Sequence, residues 1–595
     1  DDCDEYHGPN GERDVVGAAF TQDTDGHDTT GWPTFPEWPA HDQLLHEAIY
    51  WKWVERAWKS GLRVIVNDLV DNETLCELQR NVRASNGDPE ASQIDCNSMN
   101  NAGRQAGSMY AMQDYIDAQY GGRGEGFYQI AHGSDEARGL IEDGKAAVVL
   151  GIEISNLFNC KVNYALARQL QPFEETGEGP NGAENVYNDG MGGLCTEDTV
   201  VEQMQRIWDW GVRQVITIHE FDNAFGGNGI FDALVLNTGN LENSGGIPGG
   251  TLANPAAVVN AVPTEFNPDS TPATGQELPS GEFWTTYDCP VAGEDGFEGY
   301  LYGDSGGTRL QSIEPVCPYT GQGGRPGGQT NCYPAEDADF SEPALPATRR
   351  QCNARWLTPR GLFVYSKLME FGFIFDIDHL ELEMKTQGLE LAEAQDPPYP
   401  FVSTHGTFGG TTLDQARRMH ANGGFIYPSL GNGPSFLNKM QQTREALAGQ
   451  GITELFGFGF GTDTNGLSEQ SPARSAQQIQ DNGAIVYPYS LFDSDLFTQL
   501  DDFNGTNRAD DTPVTGVVFQ QPEVRDPDGN GRTWHLDIDG SAHYGMLSGM
   551  VEEINLHGTA QDMQDLFNSA ERFLRTWTAT EASNAGILAK TENDN

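Results

Sequence analysis

SDEARGLIEDGKAAVVLGIEIS, residues 134–155, is the stretch on which the fold turns. Its first half reads as a short amphipathic helix closed by Gly144, and its second half is a continuous apolar run that stops at Glu153. A strand with apolar residues on both faces must be covered on both, which points to a parallel sheet with crossover helices.

The same cadence of helix, glycine and strand repeats outward in both directions. HEAIYWKWVERAWKSG (46–61) leads into GLRVIVNDLV (61–70), and TEDTVVEQMQRIWDWG (196–211), opening on a Thr cap, leads into VRQVITIHEF (212–221). PRGLFVYSKLMEFG precedes FIFDIDHL (373–380), and PPYPFVSTHG ends at a further strand near His405. TLDQARRMHANG runs into GFIYPSLG, and LNKMQQTREALAGQGITE into LFGFGFGTDTNG. These are seven strand segments, one fewer than a closed (β/α)8 TIM-type barrel needs. The expected fold is therefore an α/β barrel of this type with long disulfide-stapled insertions, its first strand lying outside this chain or lost.

On this reading residues 1–45 are an N-terminal extension, 46–221 the first part of the barrel with insertions at 71–133 and 156–195, and 358–595 the second part with a C-terminal helix. Between them, 222–357 is a Cys/Gly/Pro-rich tract too long for a simple loop. The 595 residues fit one decorated domain, since such barrels can exceed ~400 residues.

Composition narrows the partners. With 88 Asp and Glu against 34 Lys and Arg, the formal net charge is -54, which repels nucleic acid and anionic membrane surfaces. Such a surface suits high external salt, a calcium-rich exterior, or simply a secreted protein kept soluble by charge. No run approaches the ~20 apolar residues of a membrane span. The nine cysteines form no CxxC pair, so disulfides in an oxidising, extracellular or periplasmic compartment are expected. Cys289, Cys317, Cys332 and Cys352 should pair mainly among themselves, and the odd count leaves one thiol, with Cys3 the candidate. Sequons stand at Asn72 and Asn504.

Five polar residues recur at strand C-termini, where barrels of this kind carry their chemistry: Glu153, His219, His379, His405 and Asp463. Imidazoles and a carboxylate suit one or two divalent transition ions, zinc being the natural choice, and an Asp can carry a proton to a leaving group. GIEIS, DIDH, STHG and GTDTNG, in this order, resemble the amidohydrolase superfamily of metal-dependent hydrolases, most closely its membrane dipeptidase-like branch. The likeness covers roughly 46–221 and 358–580, and HLDIDGSAHYGMLSGMVEEI (535–554) is similar to large secreted bacterial relatives of that branch.

The resemblance implies that Glu153 bridges two metals, that His379 and His405 bind the second, that Asp463 handles protons and that His219 polarises the scissile carbonyl. It also implies a His-x-His or His-x-Asp pair at the end of a first strand, and no strand before Glu153 carries one. Either a segment absent from this chain brings the pair and the strand, or both are lost. STHG is followed by TFGG, without the arginine expected to hold a dipeptide carboxylate.

One motif stands apart. DPDGNGRTWHLD (526–537) spaces Asp526, Asp528, Asn530 and Asp537 as a calcium loop does, although an acidic turn would read the same. The functions in view are a secreted metal-dependent hydrolase of amide or peptide-like bonds acting on a small molecule or peptide, a non-catalytic extracellular structural or assembly-forming protein on a degenerate barrel, homo-oligomeric or otherwise, and a calcium-dependent glycan binder.

Overall fold

Every residue of the strand Ala146–Ile154 is buried, and alternate side chains serve two different cores. Val148, Leu150, Ile152 and Ile154 pack outward with Val200, Met204 and Ile207 of the helix Glu197–Asp209 and with Val364 and Leu368 of the helix Pro359–Phe371. Ala147 and Val149 face inward with Val402, Phe425, Tyr427 and Trp577. A slip of one residue would drive Glu153 into the helix layer, so the apolar pattern fixes the register. The structure is a computed structural model; it describes residues 50–162, 195–230, 286–302, 351–448, 456–490 and 518–594, with short gaps at 86, 354, 408, 465–469, 526–527 and 530, together with a few residues between these ranges.

The fold is mixed α/β with a parallel sheet. In chain order its first eight strands are β1 (Val64–Asp71), β2 (Tyr128–Ile130), β3 (Ala146–Ile154), β4 (Val212–Ile216), β5 (Thr286–Asp288), β6 (Gln351–Asn353), β7 (Ile374–Asp376) and β8 (Phe401–Val402). The sheet runs β1-β3-β4-β7-β8, and β2 also pairs with β3. Because β1 occupies one edge of β3 from Ala147 to Ile154, β2 and β4 share the other edge, β2 beside the first half and β4 beside the second. Parallel bridges Ser403↔Ile426 and Ser429↔Gly461 extend the succession to seven rows. All seven segments read from the sequence take part.

A closed eight-stranded barrel is not formed by the described residues: no ladder joins the row at Gly461 to β1, and these two edges face a common cavity of about 260 Å³. GLRVIVNDLV lies beside β3 as β1, so the place the sequence left unfilled is the one between β1 and the row at Gly461, and no described strand fills it. Residues 1–38 and 42–49, which hold ERDVVGAAF, lie outside the described residues.

Local chemistry explains the crossovers. Thr196 and Thr199 form a reciprocal capping box at the start of Glu197–Asp209, and Thr358 caps Pro359–Phe371, which ends on Gly372 at φ 83°. Below the sheet, the C-terminal helix Ser569–Asp594 touches the segments that enter four rows. Glu581 accepts from Ser134, Asn584 donates to the carbonyls of Met369 and Glu370, Ser583 to that of Pro397, and Thr576 to that of Gly423. Phe573 and Trp577 fill the floor.

Disulfides join Cys76 to Cys96, Cys160 to Cys195 and Cys289 to Cys352, the last cross-linking the antiparallel pair β5 and β6. Cys3, Cys317 and Cys332 lie outside the described residues. Asn72 is buried and donates to Glu220, so this sequon is closed to glycan in the folded chain; Asn504 is outside the described residues. Among the described residues no helix is long and apolar enough to cross a membrane.

Candidate metal centre

Register brings the rim together. Glu153 is level with Ile216, Ile216 with Asp376, and Asp376 with Val402. His219, His379 and His405 therefore each stand three residues beyond the level of Glu153, on three successive rows. Their Nε2 atoms converge on one carboxylate oxygen: Glu153 Oε1 is 2.9 Å from His379, 3.4 Å from His405 and 3.6 Å from His219. The Nε2 atoms of His379 and His405 are 2.8 Å apart. All four residues are buried.

The second carboxylate group orients this one. Asp378 Oδ2 accepts from the His405 backbone N–H at 2.8 Å and lies 3.3 Å from His405 Nδ1, while Ser403 Oγ donates to Asp378 Oδ1 at 2.7 Å. With Nδ1 turned to Asp378, Nε2 is the His405 nitrogen presented to Glu153. Thr404 donates to Asp376, whose carboxyl is pushed well above its usual range by burial and by Asp378. His379 at φ 65° and Asp463 at φ 46° hold backbone conformations that side chains rarely adopt, a cost accepted where the surrounding fold dictates geometry.

The electrostatics follow from burial and proximity. Burial alone would raise Glu153, but His219 and His405, with the His379 hydrogen bond, hold it well below the ordinary carboxylate range. Burial opposes charge on His405, yet Glu153 and Asp378 overcome it and raise its pKa well above the usual value. His379 is pushed down to about 4 by burial.

Sequence reasoning missed Asp68. It projects from β1 over Gly151, so closely that a Cβ on Gly151 would lie 1.8 Å from Asp68 Oδ1. Asp68, Glu153, His405 and Asp463 line the same cavity. Burial, and then the charges of Glu153 and Asp463, push the Asp68 carboxyl up to about 7. The clue available in VIVNDLVD was that Val64, Val66 and Asp68 alternate on one face of the strand.

The donor set fits a divalent transition ion. Glu153 with His219 and His379, and Asp376 with Asp378 and His405, form two groups whose ligand atoms lie within 4.8 Å of one another. The 2.8–3.6 Å spacings around Glu153 Oε1 bracket the edge, about 3.3 Å, of a tetrahedron with bonds of about 2.0 Å. Buried Asp68 Oδ1, Glu153 Oε1 and His219 Nδ1 lack a hydrogen bond of regular geometry, although Glu153 Oε1 is in ion-pair range of the imidazoles. Buried polar atoms left in this state call for a further partner.

Of the residues in the calcium-loop reading, Asp528 is exposed between the antiparallel strands Glu523–Arg525 and Gly531–Thr533. Asp537 is turned away into a buried ion pair, accepting from Arg474 Nη1 at 2.6 Å and from the Ile485 backbone N–H at 2.9 Å. The last ligand position is thus spent. Asp526 and Asn530 lie outside the described residues.

No protein-family model matches the chain, and no curated protein matches it. Among solved structures it is similar to an amidohydrolase from Pseudomonas aeruginosa, at 8% identity and a TM-score of 0.32, over 89% of this chain and 92% of that one. A likeness this loose assigns nothing to the chain, so the functional argument rests on the site itself.

Proposed function

We propose that the chain is a secreted metal-dependent hydrolase that cleaves an amide or related acyl bond in a small molecule or short peptide. The observation that carries this reading is the convergence of three imidazole Nε2 atoms, from three successive rows, on the one buried oxygen of Glu153. Glu153, His379 and His405 would hold the ion, with zinc favoured by the mixture of nitrogen and oxygen donors. A divalent ion held there supplies a positive charge that polarises a carbonyl and acidifies water near neutral pH.

The remaining work falls to the chain. Asp378 fixes the His405 ring through Nδ1, so that its other nitrogen points at the ion site. His219, beside Glu153, is the donor for a carbonyl oxygen of the substrate, and Asp463, in the same cavity, is the carrier of a proton to the leaving nitrogen. The cavity of about 260 Å³ is walled by Leu547, Val551 and Phe573 as well as by these acids, which favours a compact substrate with an apolar part. The disulfides and the charge of -54 support a location outside the reducing cytosol.

The test is zinc content of the purified chain by mass spectrometry, followed by a panel of N-acyl amino acids and dipeptides with and without chelator. Bound zinc, hydrolysis lost on chelation and restored by zinc, and loss of both in Glu153→Gln are expected. A chain without zinc affinity overturns the reading. A second reading, a non-catalytic binding protein on the same frame, is favoured by aliphatic Val66 standing beside Asp68 in the cavity. Zinc bound with no turnover of any amide would move the assignment there.

A further inference from the structure

The pocket has two unlike walls. One wall, from the end of β3 and the segment after β8, carries Glu153 and His405, and His219 and His379 meet the same Glu153 oxygen from outside the lining. The other wall, β1 with the row at Gly461, carries the carboxylates of Asp68 and Asp463 and the methyls of Val66. Val66 and Asp68 lie on one face of β1, two residues apart. A Cβ on Gly151 would meet both, at 1.8 Å from Asp68 Oδ1 and 3.4 Å from Val66 Cγ1. Among the described residues this second wall offers oxygen donors alone. Oxygen-only sets suit hard ions that keep several waters, whereas zinc-like ions favour sites that include nitrogen or sulfur.

We infer that this pocket holds a single divalent transition ion, on the imidazole wall, and that Val66 is the residue that keeps a second one out. The inference rests on the proposed metal-hydrolase reading and sharpens it. Val66 occupies the position from which a side chain of β1 would join Asp68 around an ion on the second wall, and a valine has no lone pair to offer. Its methyls also pack against the inward-facing core that contains Ala147 and Val149, so the position has been given over to packing. An imidazole on the same Cα would reach past those methyls toward Asp68 and complete a nitrogen-bearing set there, with Glu153 between the two ions.

Titration of metal-free protein with Co²⁺, followed by its visible absorption, reads the stoichiometry without reference to turnover, and zinc counted by mass spectrometry after gel filtration checks it. The expected break is at one equivalent for the natural chain, one for Val66→Ala and two for Val66→His. A break at two in the natural chain overturns the inference and leaves the hydrolase reading standing. No uptake at all overturns both. Val66→His that folds, by circular dichroism, and still stops at one equivalent removes Val66 as the determinant. Should that variant fail to fold, the natural chain's own break still decides between one ion and two.

Discussion

Two buried acidic clusters in this molecule draw on the same residue types and reach opposite chemical states. Around Arg474, Asp537 accepts at 2.6 Å, Glu553 lies 2.9 Å from the guanidinium, and the other oxygens of these acids take the backbone N–H groups of Ile485 and Gly433. A fixed cation sits among the acids, and Arg474 Nε and Glu553 Oε1, which make no hydrogen bond of regular geometry, face each other as an ion pair at 2.9 Å. Around Glu153 the facing groups are imidazoles, whose charge depends on protonation, and buried Asp68 Oδ1 has no hydrogen-bond partner. Acid burial by itself therefore says little about function. The identity of the compensating group separates a structural cluster from a reactive one.

The largest expected effect tests the structural side. Arg474→Met strands two buried carboxylates and should cost about 3–5 kcal/mol of stability by urea denaturation at neutral pH. Glu153→Gln should cost much less, because it removes a charge that no fixed cation balances. Equal losses at the two positions would erase the contrast.

A smaller effect is expected one layer out from the reactive side. Asp378→Asn leaves His405 without its carboxylate partner and should weaken zinc binding by about 10–100-fold in calorimetry, with little change in stability. Unchanged affinity would mean that His405 is oriented by other groups.

The smallest effect separates buried imidazoles by their neighbours. His405, beside carboxylates, is held well above its ordinary pKa, whereas burial, with Arg56 and Arg532 nearby, pushes His543 well below it. His543 stacks on Trp53 at 3.9 Å. The folded chain keeps His543 neutral, while the unfolded chain takes up its proton below a pKa of about 6.5. The stability it contributes is present above that pH and lost as pH falls, by at most about 1.4 kcal/mol per pH unit. Replacing it with Phe should flatten the acid limb of a stability–pH profile, and an unaltered limb would assign the slope to other groups.

Much of the frame was legible in the sequence because each row announces itself as an apolar run after a helix and a glycine. The rim residues were legible for a related reason, since Glu153, His219, His379, His405 and Asp463 are polar groups where such a run stops. Asp68 was not. Asn67, Asp68, Asp71 and Asn72 together look like the frayed end of a strand, and which of them faces inward depends on pairing Asp68 with Gly151. That glycine leaves the space Asp68 occupies, and nothing near Asp68 in sequence points to it. The spacing over 526–537 matches an ion loop, but Asp537, its twelfth position, has a partner 63 residues away at Arg474, which no local pattern shows.

The helix under the sheet has a consequence for the order in which the protein can be made. Ser134 meets Glu581 across 447 residues of chain, and the entries to the later rows wait for the same helix. Synthesis delivers all seven rows before Phe573 and Trp577 exist, so the nascent sheet stands with its lower mouth open and Val149 and Phe425 uncovered. Contacts of such span close slowly, and exposed apolar rows are the species that associate. The surplus of carboxylates, spread along the whole chain, is then as useful to the unfinished protein as to the finished one, because like charge keeps neighbouring nascent chains apart until the floor is laid.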